Sequence, residues 1–148
     1  MLSAKTGNRR DVIMLNIDTI KEQVGCNHPA TEAQIKICNL KLKQNNLPEI
    51  PDEYVGLLKI CNGFSNEDAL VFGADVKNHN WYKDIADFNI AYFHNGKADW
   101  LILGESDFFL FVYASQQQKY FIVDRDTLEE NFSDADFMPA VNYILRIE

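Results

Sequence analysis

The chain has no apolar run approaching the roughly 20 residues that a membrane-spanning helix needs. Its first residues, Met1 to Asp11, are polar, and no apolar core of signal-peptide length follows before Asp18 and Lys21 intervene. Neither a membrane partner nor an export signal is expected. Cysteine is scarce: Cys26, Cys38 and Cys61 are odd in number and show no CxxC spacing, which speaks against a disulfide scaffold and a zinc ribbon alike. Each falls in a stretch that reads as helix or helix flank, so reduced thiols and a cytoplasmic location are expected. A basic excess is also missing. Residues 1 to 65 carry eight Lys/Arg and seven Asp/Glu, whereas residues 66 to 148 carry six and fifteen. Nucleic acids and anionic membranes call for a basic footprint. A basic protein is the natural complement of this chain, and plain solubility is the other reading of such an acidic excess.

Motifs of catalysis are likewise wanting. His28, His79 and His94 stand far apart and form no HExxH pattern. Asp124-Arg125-Asp126 fails as an EF-hand, because Leu128 and Glu129 occupy the fifth and sixth positions, where the loop needs an oxygen ligand and a glycine. Gly104-Glu105-Ser106 lacks the second glycine of a nucleophile elbow and sits between two strands. There is no P-loop and no GxGxxG. Cys38 and Cys61 lie among apolar helical positions, where a thiol is packing. No catalytic residue, metal or cofactor is expected.

What is present is the material of one core. Apolar residues make up 47% of the 148, and a chain of this length buries about 70% of its unfolded surface. Val12, Ile13, Ile17, Ile20 and Val24 recur at helical spacing up to Gly25. Thr31 with Gln34 forms a capping box before Ile35, Cys38 and Leu42. Pro51 suits a first helical turn ahead of Tyr54, Leu57, Leu58 and Cys61, and Asn62-Gly63 ends that helix. The period then changes. Ala69 to Phe72 reads as a strand closed by Gly73, and Asp84 to Phe93 as a helix with Ile85, Phe88 and Tyr92 inward, followed by the turn signal Asn95-Gly96. Trp100–Leu103, Phe108–Tyr113 and Tyr120–Val123 are separated by connections so short that they must be antiparallel neighbours, a β-meander. A last helix sets Phe137, Val141, Ile144 and Leu145 on one face. The expected fold is α+β and single-domain: N-terminal helices on a curved antiparallel sheet, with a C-terminal helix.

The stretch Leu47 to Ser65, LPEIPDEYVGLLKICNGFS, resembles the helix-to-turn signature of the SUKH superfamily, which includes the fungal Smi/Knr regulators and many bacterial immunity proteins. The matching residues are Leu47-Pro48, Tyr54 and Asn62-Gly63. Ala69 to Gly73 is similar to that family's first strand, and Trp100 to Glu105, with Gly104, to its central one. The likeness covers residues 31–148. Asn39 departs from it where many relatives carry Glu, as does the segment before Met14, so 1–13 reads as a loose tail and 14–148 as the domain. The resemblance implies a non-catalytic protein-binding module, most often an immunity protein that neutralises a cognate toxin, for instance a nuclease. The alternative is a regulatory scaffold of the Smi/Knr type, and the third reading is a small enzyme. Glu105, Asp107, Asp124 and Asp126 are the residues expected to meet a basic partner.

Overall fold

The computed structural model describes residues 17–77, 82–93, 99–134 and 136–145. The tail 1–13, Met14, His79, His94 and Asn95-Gly96 lie outside the described residues. Five helices are described: α1 (17–23), α2 (Glu32–Gln44), α3 (Asp52–Leu58), α4 (Ile85–Tyr92) and α5 (Phe137–Leu145). They accompany one seven-stranded sheet whose spatial order follows the chain: β1 (Gly25–Cys26), β2 (Phe64–Asn66), β3 (Ala69–Val71), β4 (Trp100–Glu105), β5 (Phe109–Ala114), β6 (Lys119–Asp124) and β7 (Glu130–Asp134). Every neighbouring pair is antiparallel. The α+β architecture is therefore as expected, and the three meander strands form consecutive antiparallel neighbours. Bulges at Ile102/Gly104 and Ile122/Val123 add local twist.

Local chemistry explains most boundaries. The Thr31 hydroxyl accepts the Gln34 N–H, and the Gln34 amide oxygen accepts the Thr31 N–H, closing the capping box of α2. Asn46, at φ 58°, turns the chain out of α2. Asn39 accepts the Ile50 N–H at 2.9 Å and so holds the Leu47–Pro51 connection against α2. Asp84 caps α4 by accepting from Asp87.

Tyr54, Asn62, Gly63, Gly73 and Gly104, five of the residues that carry the resemblance, meet around β3 and its end. Tyr54 is fully buried; its hydroxyl donates to the Phe72 carbonyl and lies 3.2 Å from that of Leu103. Its ring meets Phe111 and Phe137, so α3, β5 and α5 share one aromatic cluster. Asn62, also buried, accepts the Ala74 N–H and donates to the Ala74 carbonyl, imitating a strand partner. Gly63 has φ 109°, which a side chain resists. Leu47 closes the α2 turn through its N–H on Leu42 and is buried beside Pro48. Trp100 opens β4 and packs partly buried against the core. At Gly73 and Gly104 a Cβ would meet backbone oxygens of Asn62 at 2.5 Å and of Leu70 at 2.7 Å, respectively. Gly73→Ala must push the Asn62 clamp aside, and the expected cost is about 1–3 kcal/mol. A denaturation midpoint unchanged by this substitution would show that the clamp has slack.

Two expectations are corrected. Cys26 and Cys61 are not free thiols but form a disulfide, with Cα atoms 5.6 Å apart. Cys26 sits not on a helix but on β1, opposite Phe64, while Cys61 follows the end of α3 and precedes β2. That strand pairing, with the hydrogen bonds of Asn27 to Gly63 and of Asn62 to His28 beside it, brings the two together. Tyr92 is not inward: α4 buries Ile85, Ala86 and Asn89, and leaves Tyr92 exposed. The polar Asn89 tolerates full burial because its side chain accepts the Ile102 N–H and donates to the Ile102 and Ile85 carbonyls, satisfying the backbone where β4 bulges.

Candidate functional site

The β4–β5 and β6–β7 turns lie at the same end of the sheet and are bonded to each other. Ser106 shapes the first: its N–H donates to the Phe109 carbonyl, and its hydroxyl accepts the Phe109 N–H at 3.2 Å. Asp124 shapes the second by accepting the N–H groups of Asp126 and Thr127, both at 2.9 Å. Leu128, at φ 62°, is held by its N–H on the Asp124 carbonyl. The Arg125 N–H then donates to the Phe108 carbonyl at 2.9 Å, and its guanidinium to the Ser106 carbonyl at 2.7 Å.

The four acids expected at a partner interface have three different placements. Glu105 is only 5% exposed, so it adds no charge to the surface; β4 runs through it, pairing it with Leu110 on one side and Leu70 on the other. Lys83 donates to its Oε2, and Arg125 Nη2 stands 2.9 Å from its Oε1, off the hydrogen-bond axis. Asp124 spends its carboxylate on the turn. The backbone N–H groups of Thr127 and Asp126 hold it below the usual carboxylate range. Its support for the turn is thus present above the carboxyl's ordinary pKa and lost as pH falls through the lowered one. Asp107 and Asp126 alone among the four are exposed.

Sequence reasoning missed what surrounds these two acids. Phe108 is 63% and Leu128 40% exposed, on the two turns that are tied together, with exposed Glu129 and Glu130 following Leu128. Phe108 was expected to begin a strand, but pairing starts at Phe109. Beside Arg125 opens a recess of about 460 Å³ lined by Lys83, Asp87, Phe88, Ala91, Tyr92 and Arg125.

Elsewhere the chemistry is quiet. Burial pushes the Cys38 thiol up to about 12, leaving it protonated at neutral pH. Among the described residues no cluster of His, Cys, Asp and Glu is arranged to hold a metal ion. No described helix is long and apolar enough to cross a membrane. In comparisons with protein-family models and with curated proteins, no match to this chain was found.

Proposed function

We propose that this chain is a SUKH-type protein-binding module that works without catalysis, as an immunity protein covering a basic cognate toxin with the turn end of its sheet. The observation that carries this reading is the pairing of exposed Phe108 and Leu128 with the exposed acids Asp107, Asp126 and Glu129 on two hydrogen-bonded turns, and Glu130 at the start of β7. Interfaces draw most of their affinity from a few apolar, preferably aromatic, anchors ringed by polar groups. Here the anchors are presented on backbone fixed by capped turns, so little conformational freedom is lost on docking. The acids serve the encounter: a basic nuclease cleft would be attracted from a distance and then sealed. Neutralisation of this kind needs no reacting group.

The test is association kinetics with the cognate toxin. At low salt the rate should approach about 10⁸–10⁹ M⁻¹s⁻¹ and fall toward about 10⁵–10⁶ when Asp107, Asp126 and Glu129 are changed to Lys. Salt should produce the same decline, since charges beyond about 10 Å are screened at 0.1 M. Phe108→Ala should act on dissociation instead, raising it at least about tenfold. Indifference to all three treatments would remove the turn end from the interface. Glu105→Lys belongs to none of these tests, because that carboxylate is internal.

A further inference from the structure

The recess between α4 and the β6–β7 turn presents cations in a chain whose net charge is −8. Two cations border it, Lys83 and Arg125, with side chains 39% and 42% exposed, and both are fixed by the single buried carboxylate of Glu105. The Lys83 ammonium stands 5.6 Å above the Phe88 ring. The third charge on the wall, Asp87, is 3.7 Å from Lys41. Counted with the carboxylates behind the wall, Lys41, Lys83 and Arg125 are balanced by Glu105, Asp87 and Asp84, the last capping α4 through the Asp87 N–H. The apolar wall is made by Phe88 and Tyr92, whose rings are nearly parallel at 14° with centroids 6.1 Å apart. A volume of about 460 Å³ lies in the range of small-molecule sites, roughly 300–1,000 Å³.

We propose that this recess binds a small organic monocarboxylate, with the carboxylate between Lys83 and Arg125 and an aromatic or flat apolar body against Phe88 and Tyr92. Holding two cations on one internal carboxylate prepares them in advance: neither has to be drawn from solvent when an anion arrives. Arg offers five N–H donors, more than its contacts with Ser106 and Glu105 consume. Since those charges balance, a monoanion adds one net negative charge to the recess and a dianion two, which favours the monoanion. A phosphate dianion would bring a second negative charge next to Glu105 and Asp87, where like charges repel. A neutral analogue would forgo the charge-assisted bonds. The site does not depend on the immunity reading, and its probes contain no toxin.

The experiment is an NMR titration of the full chain with phenylacetate, phenylacetamide and phenyl phosphate. Phenylacetate should shift the resonances of Phe88, Ala91 and Tyr92 saturably, with a Kd at least about tenfold below those of the other two, the difference that one charge-assisted bond makes. Tyr92→Ala alters an exposed side chain and Lys83→Gln keeps a donor for the buried Glu105 carboxylate, and unchanged resonances elsewhere would verify that the fold is intact. Each should raise the phenylacetate Kd at least about fivefold, whereas Asp126→Lys, on the proposed partner face, should not. Absence of saturable shifts, equal binding of the amide, tighter binding of the phosphate, or indifference to both variants would each overturn the proposal.

Discussion

Truncating Tyr54 to alanine should destabilise the chain by about 3–5 kcal/mol, the range for large aromatic side chains removed from a packed core. Two separate losses combine. The ring is fully buried and edge-on to Phe137, and both touch Phe111, so its removal opens a cavity where α3, α5 and the sheet meet. The hydroxyl also serves the carbonyls of Phe72 and Leu103 where β3 leaves the sheet. Tyr54→Phe isolates that second loss; it keeps the ring, leaves buried acceptors short of a donor, and should cost about 1–3 kcal/mol. The check is urea unfolding of both variants, reading midpoints at unchanged slope. A Tyr54→Ala effect under about 1 kcal/mol would mean that the cluster refills the space, and Tyr54 would not be the anchor of this fold.

Opening the Cys26–Cys61 disulfide should cost about 3–4 kcal/mol. The bond joins residues 35 apart, and closing a loop of that length removes roughly 13 cal/mol/K of entropy from the unfolded chain. The folded chain should change little, because the same seam is held independently: Asn27 N–H donates to the Gly63 carbonyl, Asn62 N–H to that of His28, and Ala30 N–H to that of Leu58. The effect therefore belongs to the unfolded ensemble. Cys26→Ser and reductant should lower stability equally. Thiol titration gives a second check. The oxidised chain should show no reactive thiol when folded, since Cys38 is buried with its thiol pushed up to about 12, one thiol when unfolded, and three after reduction. Equal stability with and without reductant would show that the bond does not constrain the chain. Since disulfides persist in oxidising surroundings and are rare in the cytosol, the thiol count of protein taken directly from its cells would also test the cytoplasmic assignment.

Local chemistry was legible wherever a feature is settled within a few residues. The Thr31/Gln34 box, the three apolar runs of the meander and the amphipathic face of α5 all follow from hydrogen-bond satisfaction and hydrophobic period, whereas the helix expected to run to Asn62-Gly63 stops at Leu58. Tyr54 could be read as a core anchor for the same reason. The short or polar strands β1, β2 and β7 carry no such signal, because Gly25–Cys26 and Glu130–Asp134 become strands only by having a neighbour to pair with.

The candidate functional positions depended on tertiary contacts. Glu105 looks like any surface acid in the sequence, yet β4 carries it inward, and two cations distant along the chain, Lys83 and Arg125, neutralise it there. Asn89 looks like a surface amide, yet it replaces a strand at the β4 bulge. Cys26 found Cys61 through β1–β2 pairing, and Phe108 stayed exposed because pairing began one residue later. By itself, then, the sequence determined the helices, the meander and the acidic character of the second half. The folded structure alone decided which acids reach solvent, which cations crowd around a buried carboxylate and which apolar residues are left outside, because burial and charge pairing are properties of residues brought together across the chain.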